Sequence, residues 1–212
     1  MLRTHLKIMR ETADHKIEVL VDQPSRSYLL QMPSLMARQW MQTTDTCKDT
    51  AGQTMTEAQV GRPFHMASMG GYGRGHYIVS GASPSGTAFA ADEQGIVIGT
   101  DPAVVQPDQY AMISQIRSGE TSGKVMYYGT CVYGLTINAT TDEASFKVEA
   151  IFHNKSGGSI NVNEVGIYAN GCGNNDGYPN QQQYGILRDV ISTIALADDE
   201  RLKIEYTLSI AT

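Results

Sequence analysis

Leu202-Lys203-Ile204-Glu205-Tyr206-Thr207-Leu208-Ser209-Ile210 carries a large apolar side chain at every second position. A period of two is that of an extended chain, whose side chains alternate between faces, so this segment reads as a β-strand with one buried and one wet face. Phe146, Val148, Ala150 and Phe152 repeat the pattern against Lys147, Glu149 and His153, and Asn154-Lys155-Ser156-Gly157-Gly158 supplies the turn that follows.

The same signature extends towards the N-terminus. Strands are predicted at residues 125–137, at Ile96-Val97-Ile98, at Leu6 and Ile8, and at Ile17, Val19 and Val21, with another over residues 186–191. Between residues 160 and 168 the apolar phase switches from Val162 to Val165, which predicts a bulge near Glu164. Short strands divided by turn clusters, without a strand-helix-strand rhythm, predict an all-β chain folded as an antiparallel β-sandwich.

One or two short helices and long glycine-rich loops are expected beside it. Pro33-Ser34 precede a run in which Met36 and Trp40 fall four apart, and Ser34 can cap the exposed amides. Gln106-Pro107-Asp108 opens a helical turn that would set Tyr110, Ile113 and Ile116 on one side. Asp49-Thr50-Ala51-Gly52 reads as a turn, while residues 61–87 hold glycine-rich pieces with little periodicity. The expected organisation is N-terminal strands and a short helix over 1–60, packed on the main sandwich; a glycine-rich contact arm over 61–94; and the sandwich core over 95–212.

A compact chain of 212 residues buries roughly 70% of its unfolded surface, enough for a core without staples. The formal charge of −6 argues against gripping a phosphate backbone, so no direct nucleic-acid partner is expected. No apolar run approaches the roughly 20 residues that span a bilayer, and the start MLRTHLKIMRE is too charged for a signal peptide, so a soluble chain made in the cytoplasm is expected. Cys47, Cys131 and Cys172 form no CxxC pair, an arrangement that fits free thiols in a reducing compartment.

Catalysis needs a nucleophile, a base and an orienting group together. His5, His15, His65, His76 and His153 come without a companion motif, and the glycine-rich pieces at 71–75 and 81–87 lack the strand-to-helix setting of a phosphate loop. No enzyme, no cofactor and no metal is expected. Asp198-Asp199-Glu200 and Asn174-Asn175-Asp176 offer oxygen ligands but no spaced acidic ladder for calcium. Trp40, Tyr72, Tyr77, Tyr178 and Tyr184 could stack on sugar rings, and equally could fill core or protein interfaces. The sequons at Asn138 and Asn154 carry no weight outside a secreted eukaryotic chain.

Several phrases resemble a widespread group of tailed-bacteriophage virion proteins. Gly95-Ile96-Val97-Ile98-Gly99-Thr100, then Gln106-Pro107-Asp108-Gln109-Tyr110 and Ile116-Arg117-Ser118-Gly119, are similar in order and spacing to that group's pattern. Val162-Asn163-Glu164-Val165-Gly166-Ile167-Tyr168 is the most specific match, followed by Leu187-Arg188-Asp189-Val190-Ile191-Ser192 and Ile204-Glu205-Tyr206-Thr207-Leu208. The likeness covers about residues 95–212, with a weaker echo at 34–52, and residues 55–94 match nothing in the pattern. It implies a structural component of a virion, in the neck and tail or on the capsid surface, synthesised in the host cytoplasm, with copies of itself and other virion proteins as partners. The alternative it leaves open is a glycan-binding module of a tail tip or fibre. Asp108, Tyr110, Glu164, Gly166, Tyr168, Arg188 and Asp189 are its structural and interaction candidates. Glu164 and the Arg188-Asp189 dipeptide are expected to supply a charge-assisted pair between neighbouring strands.

Overall fold

A computed structural model describes residues 2–25, 27–29, 32–33, 48–52, 92, 95–138, 140–172 and 181–211. The fold is an all-β sandwich of two antiparallel sheets. Strands β1 (Leu2–Glu11), β2 (Ile17–Ser25), β3 (Gly95–Gly99), β4 (Met126–Asn138), β5 (Glu143–His153), β6 (Ile160–Cys172), β7 (Gln181–Leu196) and β8 (Arg201–Ala211) follow in chain order. One sheet runs β2-β1-β8-β5-β4 and the other β3-β6-β7.

The alternation in β8 sets the centre of the larger sheet. Leu202, Ile204 and Tyr206 are fully buried, as are Val148 and Phe152 of β5 and Leu6 and Ile8 of β1. The register places Ile204 beside Ala150 on one side and Ile8 on the other, so the three strands present one continuous apolar face. Each such side chain contributes about 1.5–3 kcal/mol by leaving water. Val165, Ile167, Leu187, Ile194 and Leu196 of the smaller sheet close the core. The N-terminal pair β1 and β2 belongs to the larger sheet through the β1–β8 ladder.

The expected break near Glu164 is a real irregularity of the β6–β7 ladder. Val162 pairs with Ile194 but Glu164 with Val190, so β7 carries the additional residues. The shift returns β6 to the core in the opposite phase: Val162 faces inward before it, Val165 and Ile167 after it. It also turns Glu164, Gly166 and Tyr168 to the outer side of the sheet.

The helix expected from Gln106 does not form. Gln106 accepts from the Gln109 amide in a turn, and the chain then runs on without helix through residue 125. Ile113 lies half exposed while Met112 and Ile116 are buried, so the apolar residues do not share a helical side. Side chains from β4, β6 and β7 take up this segment's amides and carbonyls, and that leaves no demand for helical bonds. Met32 and Pro33 are helical, while the rest of the other expected helix, 34–41, lies outside the described residues, as does most of the 61–94 arm. Among the described residues no helix is long and apolar enough to cross a membrane.

A buried ion pair and its clamped segment as candidate functional site

Glu164 and Arg188 sit diagonally across β6 and β7, two residues out of register, because Glu164 pairs with Val190 and Arg188 with Gly166. Both side chains are wholly buried, and Arg188 Nε donates to Glu164 Oε2 at 2.6 Å. The carboxylate also accepts from the amides of Ser114 (2.9 Å), Ile113 (3.4 Å) and Asp101 (3.4 Å). Arg188 Nη1 donates to the Ala103 carbonyl (3.0 Å) and to Gln109 Oε1 (3.1 Å). Two buried charges therefore neutralise each other and between them hold five groups of one irregular segment, residues 100–116. A buried ion survives in a protein when it is paired and its remaining valences are filled, and this arrangement meets the first condition and most of the second.

Neighbouring side chains extend the clamp. Asn163 Nδ2 donates to the Thr100 carbonyl at 2.6 Å, and the Tyr168 hydroxyl accepts from the Met112 amide at 2.7 Å. Burial pushes the Tyr168 phenol up to about 12, opposed by its hydrogen bond to Met112. Tyr127 of β4 donates to the Ile116 carbonyl at 2.6 Å and accepts from the Ile98 amide. Gly185 gives its amide to the Tyr110 carbonyl at 3.1 Å.

Three glycines let the segment lie this close. A Cβ on Gly166 would stand 2.8 Å from both the Leu187 carbonyl oxygen and Met112 sulfur. One on Gly185 would stand 2.6 Å from the Tyr110 carbonyl oxygen, and one on Gly99 would meet the Ser114 carbonyl oxygen at 2.5 Å and the Glu164 carboxylate. Gly99→Ala is expected to lower the urea midpoint by an amount equivalent to about 1–3 kcal/mol, since its obstacles are backbone and a fixed carboxylate. An unchanged midpoint would show that the segment is held loosely.

The sequence candidates thus divide. Glu164, Gly166, Tyr168 and Arg188 come together under the segment, and Tyr110 joins them through its carbonyl, its ring lying below the Lys48 ammonium at 5.7 Å. Asp108 is exposed on the turn and takes no part. Asp189 points the other way, into the sandwich, where it accepts from the Tyr206 hydroxyl of the opposite sheet at 2.9 Å. Arg188 and Asp189 therefore serve opposite faces of β7, as consecutive residues of a strand must. Asn163, Gln109 and Tyr127 were missed by the sequence reading; each acts by a single polar atom whose partner is far along the chain.

Elsewhere the polar candidates are engaged by the fold itself. His5 pairs with Asp22 and His15 with Glu11, while His153 is buried between Asp199 (2.9 Å) and the Tyr128 hydroxyl (3.4 Å). In the acidic turn Asp198 accepts from the Gly157 amide, and Glu200 from that of Ala197. Lys155 and then His153 hold the Asp199 carboxyl below its usual range. Among the described residues no group of three His, Cys, Asp or Glu could hold a metal ion. Asn154 is buried and donates to the carbonyls of Gly158 and Leu196. Tyr184 is fully buried, so its ring cannot meet a sugar; Trp40, Tyr72, Tyr77, Tyr178, His65, His76 and 174–176 lie outside the described residues. A hollow of about 420 Å³ opens on the outer face of the larger sheet, with Met9, Ile17, Tyr128 and Ile151 among its walls and Arg201 and Lys203 at its rim.

No protein-family model matches the chain, and neither does any curated protein or solved structure.

Proposed function

We propose that this chain is a non-enzymatic structural component of a tailed-bacteriophage particle, acting through contacts with copies of itself and with other virion proteins. The observation that carries the reading is the clamp. The residues most similar to the virion group, Glu164, Gly166, Tyr168 and Arg188, are wholly or almost wholly buried, and they fix the shape of a neighbouring surface segment. That segment presents Val104 and Ile113, 76% and 49% exposed, on an irregular but tightly bonded backbone. Preorganisation of this kind lowers the ordering cost of association, which suits a part that must make one contact many times over in a symmetric assembly.

Quantitative mass spectrometry of purified particles tests the proposal: the chain is expected at a fixed multiple copy number, and its absence from particles would overturn the reading. Val104→Lys is expected to leave the melting temperature within a degree or two, as exposed substitutions usually do, while incorporation falls roughly tenfold or more because a charge is forced into a contact.

A glycan-binding role has one foothold among the described residues, the hollow beside Tyr128, whose ring is half exposed. An aromatic face flanked by charged rims suits a pyranose ring. Glycan-array binding abolished by Tyr128→Ala would favour it over the assembly reading.

A further inference from the structure

Among the described residues the sandwich has four sheet edges, of which two are closed by the chain's own hydrogen bonds and a third is blunted. At β3 the outward amides of Ile96 and Ile98 are taken by Thr130 Oγ1 and the Tyr127 hydroxyl, and the Ile98 carbonyl accepts from Ile116. Along β7 the outer positions bond to residues 27–29, Thr50 and Tyr110: Leu29 donates to Ile186, Arg188 to Ser27, Thr50 to Gln183 and Gly185 to Tyr110. Strand β2 is blunted instead by a register shift, by Pro24 and by the charges of Glu18 and Asp22.

Strand β4 differs. Its near half is close to β3, but over residues 134–138 it is exposed throughout and, among the described residues, has a ladder partner on its β5 side alone. Leu135 and Ile137 are 71% and 74% exposed. Ile137 lies in one cross-strand row with Ala144 and Ile210, and Ile210 is 56% exposed. Along that face of β8 exposure rises from 0% at Tyr206 through 7% at Leu208 to 56% at Ile210. The apolar face of the larger sheet thus continues past the covered core to an open edge. Exposed, apolar and unpaired strand edges are the places where another chain adds itself.

Charge decides which chain. Strand β4 contains no Asp, Glu, Lys or Arg in its 13 residues, in a chain of net charge −6. A chain of this net charge repels its own copy wherever its acidic surfaces would meet, and an uncharged strand lies antiparallel against its own copy without setting like charges opposite one another in any register. We propose that the distal half of β4 pairs antiparallel with β4 of a second copy of this chain, joining two larger sheets and burying Leu135, Ile137 and Ile210 between them. The shift at Gly134 keeps the shared ladder short, so apolar contact provides most of the attraction. The inference rests on the reading of this protein as self-assembling, and it names the surface.

Sedimentation velocity over a concentration series tests it with the full chain. Wild type is expected to form a dimer or a higher even-numbered species, and Ile137→Lys to raise the dissociation constant by about 100-fold or more with an unchanged far-UV spectrum and melting temperature. Leu135→Lys should do the same, and Val104→Lys should not. A wild-type monomer at high concentration overturns this surface and the self-assembly reading together. An oligomer that survives both β4 variants overturns this surface alone. A monomeric Ile137→Lys with a sharply lower melting temperature also overturns it, because the patch is then covered by the chain's own residues.

Discussion

Arg188→Met is expected to lower the unfolding free energy by about 3–5 kcal/mol, the range seen when one partner of a buried ion pair is removed. The substitution keeps most of the side-chain volume, so the loss is electrostatic: Glu164 remains in a site from which water is excluded, and the Ala103 carbonyl and Gln109 Oε1 lose their donor. The pair itself need not be a net source of stability. Nη2 of Arg188 is buried without a hydrogen-bond partner among the described residues, so its desolvation is incompletely offset. Glu164→Gln with Arg188→Met is therefore expected to recover part of the single-variant loss, and the double-mutant cycle isolates the coupling. Urea denaturation at neutral pH reads all of these, and amide exchange at Ile113 and Ser114 should speed up before global unfolding. A wild-type midpoint for Arg188→Met would dispose of the clamp. Removal of the exposed Arg117 guanidinium provides the control, with a change within about 0.5 kcal/mol.

How far this site can be read in advance depends on the kind of signal. Alternation in β5 and β8 survives in the sequence because burial on one face filters every second residue, and the structure places those residues on adjoining strands in register. The phase break at Glu164 is legible for the same reason: a slip of one position turns the apolar set over. The partner of Glu164 was narrowed to a dipeptide, but which member faced it depended on the β6–β7 register, and that register is set by unpaired residues of β7 that carry no pattern. Residues 100–116 show the limit. Proline followed by Asp108 and a three-residue apolar spacing satisfies the local rule for a helix, yet the amides of Asp101, Met112, Ile113 and Ser114 are taken by Glu164 and Tyr168 some fifty or more positions away. Tertiary partners that satisfy a backbone outweigh weak local propensity, and a sequence window cannot contain them. The closure of the β3 edge by single polar atoms of Thr130 and Tyr127 is invisible for the same reason.

Stability is expected to hold steady from neutral pH to about 9.5 and then fall steeply, because three tyrosines are buried in the neutral form. Burial raises the Tyr127 phenol far above its ordinary value and Tyr168 to about 12. Tyr206 is raised by burial first and then by the Asp189 carboxylate it bonds to. Below pH 10 these phenols are protonated in both folded and unfolded chains and contribute no slope. Above it the unfolded chain releases protons that the folded chain keeps, so the stabilisation present below the unfolded value is lost as pH rises towards the folded ones. Three protons give a slope of at most about 4 kcal/mol per pH unit, enough to unfold a domain of ordinary stability within two or three units. Phenolate absorbance near 295 nm from Tyr127, Tyr168 and Tyr206 should accordingly appear only with the loss of the fold. Tyr206→Phe is expected to reduce the slope by one proton while lowering stability at neutral pH by about 1–3 kcal/mol, since Asp189 then lacks its donor within the core. All eleven tyrosines titrating together near pH 10 in a chain that stays folded would show that these hydroxyls are open to water, and the inter-sheet bond between Tyr206 and Asp189 would have to be abandoned.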